Sequence, residues 1–127
     1  MTDQFFRRVL LATAVMNIGG FFALAPPFPF LRALFGVPEA PPLYGWIVAV
    51  WVLCFGIGYW RLARARTTER FFLAISAVGK ATFALLLVAY WLEGTLPFTA
   101  PLAGSPDLAF AVLFAARLYD VRAKNRD

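Results

Sequence analysis

Hydrophobic residues fall in four long blocks along this chain, and short polar or proline-rich stretches separate them. The clearest block is Phe71 to Leu92, FFLAISAVGKATFALLLVAYWL, 22 residues with a single charge, Lys80, near the middle. About 20 apolar residues in helical form cross a hydrocarbon core about 30 Å thick. Each block comes near that length. The pattern predicts an all-α polytopic membrane protein, one four-helix transmembrane bundle with helices at about 3–25, 43–62, 68–92 and 105–123.

Punctuation between the blocks refines the expected ends. Thr2 or Asp3 can cap the first helix, and Pro26 with Pro27 stops it, because neither has an N–H to donate. Residues 26–42 hold six of the nine prolines, which leaves room for one short amphipathic turn, Phe28 to Phe35, with its apolar side chains in the interface and Arg32 at the headgroups. Thr67 or Thr68 is the expected cap of the third helix. Ser105 is the expected cap of the fourth, with Pro106 at the first helical position and Asp107 in the first turn. Gly45, Gly56 and Gly58 mark a second helix that lets a neighbour approach closely. On the first helix Thr13, Asn17 and Gly20 share one narrow face.

Composition fits the same solvent. The chain is 61% hydrophobic and 15% charged, with a mean hydropathy of +0.71, too apolar for an ordinary soluble domain. A net charge of +5 would suggest nucleic acid in a soluble protein, but here the bases lie between apolar blocks and read as topology signals. Membrane lipids, not nucleic acid, are the expected partners. With four spans, ten of the 12 bases fall on one side: Arg7 and Arg8, Arg61 to Arg70, and Arg117, Arg122, Lys124 and Arg126. Arg32 alone falls on the other. The positive-inside rule then puts both termini in the cytoplasm. Aromatic belts agree, with Tyr44, Trp46, Tyr90 and Trp91 at the outer interface and Phe6, Tyr59, Trp60 and Phe72 at the inner one. Residues 1–25 imitate a signal peptide, ending in Ala23-Leu24-Ala25, but the following Pro26 argues for an uncleaved first helix.

Chemistry is sparse. There is no histidine and one cysteine, so no metal site, cofactor site or disulfide framework is expected; Cys54 reads as a small buried hydrophobe. Lys80 is the exception. A lysine at mid-membrane costs ~2.5–3.5 kcal/mol and faces the bundle interior with a partner. By helix rise it lies about 15 Å above Arg70, while Asp107 lies about 22 Å above Arg122. Snorkelling covers the difference, so Asp107 is the leading carboxylate and Glu39, from the proline-rich loop, the second. Asn17, about 13 Å above Arg8, is level with Lys80 and is the neutral partner. The cluster of Lys80, Asp107, Asn17 and Glu39 is therefore the candidate ligand-binding site.

Three functions fit it. One is a binder of a lipid-like or small amphipathic molecule, or of a membrane partner. Another is a membrane enzyme acting on a lipid or isoprenoid, with Glu39 or Asp107 as the acid-base group. The third is a structural subunit of a larger membrane complex, in which the cluster only fixes helix register; a homo-oligomer or a membrane protein partner fits the small-residue faces of the first two helices. A binder or enzyme needs a cavity at Lys80; a packing subunit needs Lys80 sealed by Asp107.

The runs GVPEAPPLYGWIVAVWVLCFGIGY, ISAVGKATF and GSPDLAFAVLFAARL together resemble small four-helix bacterial membrane proteins of the DoxX-like type. The resemblance implies a bacterial inner-membrane location. It supplies no catalytic residue to carry over.

Overall fold

A computed structural model describes residues 1–123, so Lys124 and Arg126 lie outside the described residues. The chain forms α1 (Asp3–Leu24), a short α2 (Pro29–Leu34), α3 (Pro42–Arg64), α4 (Arg70–Leu92) and α5 (Thr99–Ala123), with no strand among the described residues. α1, α3, α4 and α5 are each long and apolar enough to cross a membrane. They form an all-α four-helix bundle. Large apolar side chains such as Val15, Val78 and Val112 point outward from mid-helix, as they must where lipid is the solvent.

The helix ends follow local chemistry, with two corrections. Thr2 caps α1, its hydroxyl accepting the Phe5 N–H at 3.3 Å. α4 starts at Arg70 with Glu69 at the cap, not Thr67 or Thr68, because the chain leaves α3 extended at Ala65, bends at Arg66 and Thr67, and is still extended at Glu69. α5 starts at Thr99, six residues before the expected Ser105, and continues through Pro106. Pro101 fits because it sits in the first turn, where its missing N–H has no partner to lose. Pro106 would orphan the carbonyl of Leu102, four residues back, but the Ser105 hydroxyl donates to that carbonyl at 2.8 Å. Ser105 is thus a repair inside a helix rather than a cap. Asp107 consequently lies more than two turns into α5.

α1 packs along α3, and α4 along α5, giving two hairpins. Small residues bring each pair together. In the first hairpin Gly20 faces Val52, and Gly56 faces Ala14 and the Cβ of Asn17; in the second, Gly104 faces Ala84 and Leu87. Cys54 lies two residues from both Val52 and Gly56, so it points away from α1 and is exposed rather than buried.

The hairpins meet at the base-rich end. Phe6, Leu10, Tyr59, Leu73 and Phe114 form a fully packed core there, with ring contacts of 6.2 Å between Phe6 and Phe114 and 5.4 Å between Tyr59 and Phe72. Phe6, Tyr59 and Phe72 therefore belong to the interior and not to an aromatic belt, because helical register turns them toward the opposite hairpin. Beyond this core the hairpins part. α2 and the following turn bridge the other end: Gly36, at φ 67°, lies against Pro97, and the Thr99 hydroxyl donates to the Phe35 carbonyl at 3.0 Å.

Candidate functional site

Lys80 sits where the hairpins begin to separate. Its Nζ donates to Asp107 Oδ1 at 2.6 Å, from α5, and to Asn17 Oδ1 at 3.1 Å, from α1. The Asn17 amide in turn donates to the Val52 carbonyl of α3 at 3.0 Å. One network therefore touches all four long helices. Gly56 makes it possible: a Cβ there would stand 3.0 Å from the Cβ of Asn17, so any larger residue would displace the asparagine. Lys80 is 7% exposed and Asp107 16%, so the pair is largely removed from solvent. The ammonium also lies 5.5 Å from the centre of the Tyr59 ring and 5.9 Å from that of Phe110, where ring quadrupoles favour a cation. Two of its three N–H donors are used by Asp107 and Asn17.

Directly beside this network is a cavity of about 660 Å³ between the hairpins. Lys80, Asp107, Asn17 and Ser76 lie at its floor; Leu24, Val48, Phe83 and Leu87 supply apolar wall; Leu31, Arg32 and Phe35 form its roof. The large lining side chains that are also exposed, Val48, Trp51, Ile75 and Phe83, all belong to α3 and α4. These two helices are joined by Phe55, Tyr59 and Phe72 at the core and stand apart above it. The gap between them is the cavity's side opening. Gly19 and Gly79 line the cavity as well, and a Cβ on either would meet nothing within 4 Å. Unlike Gly20 and Gly56, they make space rather than helix contact.

Of the four residues expected to cluster, Lys80, Asp107 and Asn17 are brought together and Glu39 is not. Glu39 lies 3.5 Å from Arg32 instead and is 80% exposed, while Arg32 is only 8% exposed. Arg32 is therefore inside the roof, not at the headgroups. On α2, Phe30 and Leu34 share the outward face, and Arg32, two residues from each, falls on the opposite side.

Sequence reasoning passed over Ser76, Tyr59 and Arg32. Ser76 is one turn from Lys80 and so on its face, a signal that was available. Its hydroxyl is buried and faces the Tyr59 phenol, rather than the carbonyl one turn back where a mid-helix serine ordinarily turns. Among the described residues, no group of three or more His, Cys, Asp or Glu could hold a metal ion.

No family model, curated protein or solved structure matches the chain.

Proposed function

We propose that this multi-pass membrane protein binds a lipid-like or small amphipathic molecule in the cavity between its hairpins, with an anionic or carbonyl oxygen of that molecule at Lys80. The observation that carries the reading is the coincidence of cavity and polar network. A space of about 660 Å³ with apolar walls has Lys80, Asp107 and Asn17 on its floor. Pockets for small ligands run at about 300–1,000 Å³ and combine apolar walls with a few convergent polar groups. A lysine that served packing alone would need no space beside it. The third Lys80 donor, left over by Asp107 and Asn17, is a group that such an oxygen would satisfy. The side opening between α3 and α4 suits a molecule arriving from lipid.

The same proposal includes orientation. The base-rich end lies in the cytoplasm of a bacterial cell and the cavity in the outer half of the inner membrane, a reading supported by the distribution of bases and by the DoxX-like runs.

Native mass spectrometry of protein extracted from its own membrane in mild detergent tests the binding. The wild type is expected to carry an adduct of one discrete mass. Gly79→Phe, whose ring fills open space, is expected to lose that adduct while keeping its melting temperature. Equal adducts on both proteins would sink the proposal.

A further inference from the structure

The roof of the cavity holds a second cation that the polar network does not use. Arg32 is 8% exposed and lines the cavity. Its ion-pair partner, Glu39, stands off at 3.5 Å on the solvent side and is 80% exposed. No hydrogen bond ties the guanidinium to any other described residue, although it carries five donors in a fork shaped for a carboxylate or phosphate. A buried guanidinium with one distant, solvent-exposed partner is under-satisfied.

The floor has the opposite balance. Lys80 is already neutralised by Asp107 at 2.6 Å. A second anion there would share one ammonium with Asp107 in a low-dielectric setting, where like charges repel strongly and each desolvated charge is costly. The floor is left with one unused donor, on Lys80, that suits an uncharged oxygen.

The separation of the two poles follows from α1. Asn17 sits at the floor and Leu24 below the roof, seven residues apart, which is about 10 Å of helix. Both line the same cavity.

On the reading of the cavity given above, we infer that Arg32 is its anion anchor, so the ligand is a single-chain amphiphile whose carboxylate or phosphate lies under α2 at Arg32. Lys80 then receives only an uncharged oxygen, or the chain alone, and the chain leaves through the gap between α3 and α4. Glu39 competes with the ligand's anion for the guanidinium and is displaced toward water when the ligand binds.

The test titrates the full-length protein in non-ionic detergent with three probes, octadecyl phosphate, octadecan-1-ol and inorganic phosphate, read by native mass spectrometry. Arg32→Gln is expected to weaken octadecyl phosphate by about tenfold or more and to leave octadecan-1-ol unchanged. Glu39→Gln, a change at an exposed side chain that leaves folding intact, is expected to strengthen octadecyl phosphate several-fold and again to leave the alcohol unchanged. The assignment of Arg32 is overturned if both probes respond alike to Arg32→Gln, if Glu39→Gln changes neither, or if Lys80→Met is what removes the preference for phosphate over alcohol. Inorganic phosphate bound as tightly as octadecyl phosphate would overturn the amphiphile and leave a plain anion site. Gly79→Phe separates the two levels. If it spares both long-chain probes, the cavity reading fails; if it removes both while Arg32→Gln leaves their ratio unchanged, only the anchor fails.

Discussion

A lysine at the depth of Lys80 is tolerated because three kinds of partner converge on it: a carboxylate, an amide oxygen and two ring faces. Removing either charge leaves the other buried and unpaired, so Lys80→Met and Asp107→Asn are each expected to cost about 3 kcal/mol. The double variant is expected to cost clearly less than the sum, as a double-mutant cycle on denaturation in detergent will show. Additive losses would mean that the two residues do not act as a pair. Much of this cluster was legible in the sequence, because helix rise from the flanking bases converts position into depth, which puts Asn17 level with Lys80 and Asp107 within the reach of a snorkelling lysine. Glu39 and Arg32 were not legible. Glu39 lies in a proline-rich loop with no helical period, and α2, although its period turns Arg32 away from Phe30 and Leu34, is too short to give a depth.

The same contrast holds for whole elements. Four spans are dictated by the bilayer, which demands long apolar runs, and all four appear. The start of α5 was misread because Ser-Pro-Asp is a sound helix-opening signal, and the same three residues also serve inside a helix when the serine hydroxyl replaces the missing proline N–H. Ser105→Ala is expected to lose about 1 kcal/mol of stability and Ser105→Thr to retain it, measured as a shift in melting temperature. Since Asp107 is two residues further along, the alanine variant should also loosen the Lys80 pair. Packing within the first hairpin was readable from Gly20 and Gly56, because a missing Cβ is visible in a sequence, whereas Gly104, which packs the second, went unread because it lay before the expected start of the last helix.

At the scale of the molecule the bundle is closed at one end and parted at the other. Helical faces reveal which residues turn inward, but not how far apart two inward faces stand, so the cavity could be posed as a question by the sequence and answered only by the structure. Orientation can be checked directly: a reporter active only in the cytoplasm, fused after Asp127, is expected to work, and one active only after export to fail. The opposite pattern would place the cavity in the inner half of the bilayer.

Clustered rings at the base-rich end also make the two hairpins the arms of a lever. With Phe6, Tyr59, Phe72 and Phe114 as the pivot, a rotation of about 5° displaces points about 20 Å along the helices by nearly 2 Å, as helix length dictates. The Thr99 bond to Phe35, at the far end from the pivot, is the latch that holds the span. The resting width of the cavity is thus set at the latch, while resistance to unfolding is set at the pivot.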